Sequence, residues 1–214
     1  MKKIRVLLAE DHETVRQGLK LLIDAQTDMQ VVGEARDGRE AVNAVATVAA
    51  DVAVLDISMP EMNGLAATRV IAESAPQTAV VALTRYGDEA YVQQMLGAGA
   101  RGYVLKQSAS AELLAAIRAA ASGRQYLDTA LAGRAGSPLF RPRGQAGLPR
   151  ITDREAEVLR MMAAGHSNKE IAITLDVSVK TVEVHKSNAM RKLGLHSRID
   201  VVRYALLQGW LRDP

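Results

Sequence analysis

The chain has 214 residues, 48% of them hydrophobic, which suits one large or two small domains with enough apolar surface for a core. It has no cysteine, excluding disulfides and thiolate metal sites, and no apolar run reaches the ~18 residues a membrane span needs. Charge is uneven: residues 1–123 hold 12 Lys/Arg and 15 Asp/Glu (net −3), residues 124–214 hold 15 and 9 (net +6), and together they give the formal +3. An acidic first half followed by a basic second half points to two domains, the second a candidate for nucleic acid. Met1-Lys2-Lys3-Ile4-Arg5 runs into a strand pattern with no small-residue cleavage site. The expectation is a cytoplasmic protein with no membrane partner.

The first 123 residues alternate strand and helix patterns. Residues 4–9 form an apolar run, and Val15, Leu19, Leu22 and Ile23 then share a helical face. Residues 29–32 read as a weaker strand. After the turn Asp37-Gly38, Ala41, Val42, Val45, Val48 and Ala49 make the next helical stripe. Residues 52–55 form the third strand, 65–72 a helix, 79–83 the fourth strand, and Gly87-Asp88 leads into a helix through Leu96. Residues 103–105 make a short fifth strand, and 111–121 a helix ending at Gly123. Such alternation predicts an α/β fold, a doubly wound five-stranded parallel sheet with flavodoxin-like order 2-1-3-4-5. Residues 124–149, with three arginines, three prolines and four glycines past Ala132, read as a flexible linker with a helical turn near Thr129–Ala132.

From residue 150 the pattern is helical throughout. Thr152 with Glu155 and Ser167 with Glu170 are capping boxes. Asp176-Val177 turns, Ser178 caps a third helix running to Gly194, and Ser197 caps a fourth with Ile199, Val202, Ala205 and Leu206 inward. A short helix, a tight turn and a longer helix predict a small all-α helix-turn-helix domain at 150–214.

Chemistry collects at the strand ends. Glu10-Asp11 follow strand one, Asp56 strand three, Thr84 strand four and Lys106 strand five. In a parallel sheet these positions converge in one cleft at the carboxyl edge. Asp56 alone reads as a turn residue, Lys106 as a solvated lysine and Glu10-Asp11 as helix-start acids. Together they have another meaning. Like charges ~4 Å apart repel by about 4 kcal/mol at an effective dielectric near 20, and a hard cation such as Mg²⁺ relieves this. Asp56 is then a candidate acceptor of a phosphoryl group, with Lys106 and Thr84 neutralising its oxygens.

In the third helix of the second half, Val182, Ala189 and Leu193 fall on one face, and Lys180, Val184, Ser187 and Arg191 on another. An exposed polar face suits the major groove, with Val184 toward a thymine methyl and Lys186, Arg191 and Lys192 toward phosphates. The alternative puts Val184 in the core and the lysines in solvent; the helix alone leaves both open.

Residues 1–123 resemble the receiver domain of bacterial response regulators on Glu10, Asp11, Asp56, Met59-Pro60, Gly64, Thr84, Tyr103 and Lys106. The resemblance implies that Asp56 takes phosphate from a cognate histidine kinase. It also implies Mg²⁺ on Glu10, Asp11, Asp56 and the backbone carbonyl of Ser58, with Thr84 moving toward the phosphoryl group and Tyr103 turning inward. Gln107 stands where many receivers have proline after the lysine. Residues 150–214 resemble the LuxR-type helix-turn-helix of the NarL/FixJ regulators on Ser167-Asn168-Lys169-Glu170-Ile171-Ala172, Thr181-Val182, His185 and Lys192-Leu193-Gly194. That implies promoter DNA as a partner, a homodimer when active, and contacts from Lys169, Lys180, Thr181, Val184, Lys186, Ser187, Asn188 and Arg191. Glu183 departs from members that carry a basic residue there. His12, His166, His185 and His196 share no metal-ligand spacing, and His12 reads as a helix-start residue.

The expectation is a transcription factor, not an enzyme, in which phosphorylation of Asp56 lifts a restraint on DNA binding. One alternative is a receiver-containing DNA-binding protein that works without phosphate. Another is a dehalogenase-like phosphatase, but Ser58 stands where that chemistry needs a second aspartate.

Overall fold

The computed structural model describes residues 2–85, 87, 89–132 and 151–211. It divides into two compact units, Met1–Pro142 and Arg143–Pro214.

The first unit runs β1 (Ile4–Ala9), α1 (Glu13–Asp24), β2 (Met29–Ala35), α2 (Gly38–Thr47), β3 (Val52–Asp56), α3 (Gly64–Ser74) and β4 (Ala79–Thr84), then α4 (Glu89–Gly97), β5 (Gly102–Leu105), α5 (Ser110–Ala121), β6 (Tyr126–Leu127) and α6 (Thr129–Ala132). Every strand pair is parallel, in the order β2-β1-β3-β4-β5-β6. The five expected strands stand in the expected order, with a sixth at the edge. Strand residues are apolar on both faces because helices cover both. Val6, Leu8, Val54, Val81 and Val104 pack on one side with Ile23 of α1 and Leu113 and Ile117 of α5. The pleat turns their neighbours Leu7, Ala53, Leu55 and Ala82 to the other face, where they are equally buried.

Two expectations need correction. Residues 124–132, read as the start of a linker, carry β6, which pairs with β5 through Gly102–Tyr126 and Tyr103–Leu127, and the turn foreseen at Thr129–Ala132 is α6. A two-residue strand is too short to show periodicity. The rest of the linker, 133–149, lies outside the described residues. In α1, Val15 is exposed and Arg16 is buried, so the inner face carries a guanidinium where an aliphatic was expected.

The second unit holds α7 (Asp153–Ala163), α8 (Asn168–Thr174), α9 (Val179–Leu193) and α10 (Arg198–Leu207). Thr152, Ser167 and Ser197 each close a capping box, Ser178 caps α9, and Gly194 ends α9 at φ 66°. That left-handed backbone is readily adopted by glycine. Val158, Leu159, Ile171, Val182, Ala189 and Val201 are fully buried and make the core. Ile199, expected inward, is 63% exposed; Ala205 is buried as expected, and Val201 and Tyr204 join it on the inward face of α10. Tyr204 meets Trp210 edge-on at 5.3 Å, and Arg160 lies 4.8 Å over the Trp210 ring.

Candidate functional site: an acidic pocket and a basic helix

The pocket forms where the parallel register brings four strands to a common edge. Ile57 donates its amide to Leu83 O (3.2 Å), and Lys106 donates its amide to Thr84 O (2.7 Å). These bonds fix the chain leaving β3 against β4, and the chain leaving β5 against β4. Asp56 is the last residue of β3 and only 3% exposed. The loop after it folds back tightly: a Cβ on Gly64 would lie 2.1 Å from Asp56 O. Only glycine fits there, so the backbone behind the carboxylate is set by Gly64. Asn63 then caps α3 by accepting from the Ala66 amide (2.8 Å).

Lys106 ties the pocket together. Its Nζ donates to Asp56 Oδ2 at 2.8 Å and to Glu10 Oε2 at 2.6 Å. Burial works against this ammonium, but the two carboxylates outweigh it and raise its pKa above the ordinary value. Burial also raises Glu10, and the charge of Asp56 adds to that, although Lys106 opposes it. Glu10 thus sits in a buried acidic setting that Lys106 offsets only in part. Thr84 and Tyr103 are both buried, and Tyr103, expected to turn inward on activation, is already fully inside. No cis peptide bond occurs among the described residues, consistent with Gln107 after Lys106.

Two residues had no pocket role in the sequence reading. His12 has Nδ1 at 2.8 Å from Asp11 Oδ1 and 3.1 Å from Glu10 Oε1. The carboxylates accept, so Nδ1 carries a proton, and they raise the imidazole pKa, the Asp11 bond most. Among the described residues, Glu10, Asp11 and His12 are the one trio whose ligand atoms lie within 4.8 Å of one another. Asp56 stands outside that trio and is bridged to Glu10 through Lys106. Arg16 donates from Nη1 to Glu10 O (2.8 Å), with Glu34 3.4 Å from its Nε. Its signal was in the sequence: Arg16 stands seven residues before Ile23, on the same helical face. The carboxylates of Glu10, Asp11 and Asp56 offer oxygen donors, which suit a hard divalent cation.

In the second unit, α9 presents Lys180, Val184, Ser187 and Arg191 outward on one exposed face. Val184 is 51% exposed, so the core alternative for it fails. Thr181 and Asn188 flank this face: Thr181 Oγ1 lies 2.8 Å from the Ser178 hydroxyl, and Asn188 Oδ1 accepts from Arg191 Nη2 (3.1 Å). Lys186 stands off the face, with Lys169 and Glu183 along an open cleft of about 740 Å³. Lys192, offered as a phosphate contact, is committed inward. Its Nζ donates to both oxygens of buried Glu155 at 2.7 and 2.8 Å, clamping α9 to α7.

A parallel sheet with an acidic strand-end pocket and a capped helix-turn-helix define a receiver joined to a DNA-binding domain. Residues 6–118 match the response regulator receiver domain, and residues 149–205 match the luxR family of bacterial regulatory proteins. The oxygen regulatory protein NreC of Staphylococcus aureus is 41% identical over 210 residues, covering 95% of this chain and 97% of NreC. RcsB of Salmonella enterica serovar Typhimurium, solved bound to promoter P1flhDC with the phosphomimetic BeF3−, is 29% identical with a TM-score of 0.77, over 97% of this chain and 100% of RcsB. The response regulator ChrA of a heme-sensing two-component system is 34% identical with a TM-score of 0.54, over 99% and 100%. The chain belongs to the NarL/FixJ family of two-component response regulators. It is a DNA-binding transcription regulator. No described helix is long and apolar enough to cross a membrane.

Proposed function

We propose that Asp56 accepts a phosphoryl group from the phosphohistidine of a cognate kinase, and that this raises the affinity of the second unit for promoter DNA. The observation behind it is the bridge of Lys106 between Asp56 and Glu10. An Asp56 carboxylate oxygen attacks phosphorus, the O–P bond forms as the P–N bond breaks, and the imidazole regains a proton. Lys106 is placed to meet the charge on the phosphoryl oxygens, with Thr84 giving a hydroxyl donor. Mg²⁺, held by Glu10, Asp11, Asp56 and the Ser58 carbonyl, would supply further charge neutralisation. Tyr103 takes part in the switch from its buried place on β5.

DNA contacts fall to Lys180, Thr181, Val184, Ser187 and Arg191 of α9, with Lys169, Lys186 and Asn188 at its flanks. RcsB has been solved as dimers on DNA, and the same assembly is proposed for the active form of this chain, in the cytoplasm. The switch domain extends to Ala132 and the reading domain begins near residue 150.

Phosphoryl incorporation tests the reading. With radiolabelled acetyl phosphate and Mg²⁺, the wild-type chain should take up label in a base-labile linkage and Asp56→Asn none. Equal labelling of the two would place the acceptor elsewhere.

A further inference from the structure

The family match to the receiver ends at residue 118, yet the chain beyond it is built into the pocket's back wall. Asp128 is fully buried. Its Oδ2 accepts the amide of Leu105 at 2.9 Å, one residue before Lys106. Its Oδ1 accepts the amide of Ala130 at 2.9 Å, and its own amide donates to Tyr103 O at 2.9 Å. One carboxylate thus joins α6 to the segment of β5 that carries both Tyr103 and Lys106. Leu131, also buried, reaches the other side: a Cβ on Gly87 would lie 2.9 Å from Leu131 Cδ2, so α6 rests on the loop three residues past Thr84. Glu112 of α5 secures the outer edge by accepting from Tyr126 Oη (2.9 Å), the Thr129 amide (3.0 Å) and Thr129 Oγ1 (2.9 Å).

A buried carboxylate satisfied by two backbone amides is an exacting fixture, because moving either amide leaves charge uncompensated. We propose that β6–α6 is the output element of the switch, with Asp128 and Leu131 as positioning residues that carry motion at Thr84, Tyr103 and Lys106 into the connection beyond Ala132. The proposal rests on the phosphorylation of Asp56. It adds that the signal leaves through a segment outside the matched receiver.

The test uses the full chain. Amide exchange is followed with and without beryllofluoride and Mg²⁺, and DNA affinity is compared for the wild type, Asp128→Asn and Leu131→Ala. In the wild type, exchange at Leu105, Asp128, Ala130 and Leu131 should change together on adding beryllofluoride. Both variants should still incorporate phosphoryl groups at Asp56 while losing most of the ligand-induced gain in DNA affinity, a gain of about 5- to 150-fold for ordinary allosteric coupling. Asparagine keeps the shape and one acceptor oxygen of Asp128, so that variant should fold even if Leu131→Ala does not. Normal phosphoryl incorporation with exchange at residues 128–131 unmoved, or with the full gain kept in both variants, would overturn the proposal alone. Absence of incorporation in the wild type would overturn the parent reading and this one with it.

Discussion

Single atoms decide much at the residue scale. Gly64 is the tightest case, since any side chain there meets the carbonyl of Asp56. Gly64→Ala should therefore lower stability by at least the ~1–3 kcal/mol typical of overpacking, read by chemical denaturation, and should reduce phosphoryl uptake by displacing the Asp56 backbone. Unchanged stability would mean the loop yields cheaply. Glu155 is a second case. Burial pushes its carboxyl up, but Lys192 and the Thr152 amide outweigh that and hold it below the usual 4.5. A carboxylate depressed on folding contributes stability that is present above its ordinary pKa and lost as pH falls through the folded value. The second unit should thus lose stability as pH drops below about 4.5, and Glu155→Gln should flatten that fall and cost about 1–3 kcal/mol at neutral pH. Identical acid profiles for the two proteins would contradict this. Glu155 was legible as a capping residue; its ion pair with Lys192, 37 residues away, was not, because sequence spacing says nothing of partners across helices.

At the scale of elements, α9 is the helix proposed to read DNA. Its inward face, Val182 and Ala189, was legible from periodicity, and Gly194 and Ser178 marked its ends. Which outward cations are free to meet phosphate was not legible: Lys192 is turned to Glu155, while Lys180 and Arg191 stand exposed. Arg191→Ala should weaken binding about equally across DNA sequences and reduce the slope of log affinity against log salt by about 0.9, one phosphate's worth. Val184→Ala should leave the salt slope alone and relax discrimination at one thymine, since a methyl contact reads a base and not the backbone. A slope unaffected by Arg191→Ala would remove that residue from the phosphate contacts. On α10 the inward phase was misjudged at Ile199, for an aliphatic next to a capping residue can face either way until Tyr204 and Trp210 fix the helix's rotation.

For the whole molecule, the sheet order, the clustering of Glu10, Asp56, Thr84 and Lys106 at one edge, and the helix-turn-helix were readable because each follows from strand ends, caps and apolar periodicity. Hidden were the features with weak local signals: the two-residue β6 and the placing of His12 on the acidic pair; the buried Arg16 had a signal, its helical spacing from Ile23. The central claim is that the charge state of one pocket governs DNA affinity in the other unit. The most direct measurement is the affinity of the wild type and of Asp56→Asn, with and without beryllofluoride and Mg²⁺, for duplexes enriched from a random pool by the treated wild-type chain. The account predicts a gain on treatment of the wild type, about 5-fold or more, and none for Asp56→Asn. Equal affinity in all four conditions would contradict it and leave a DNA-binding protein indifferent to phosphate.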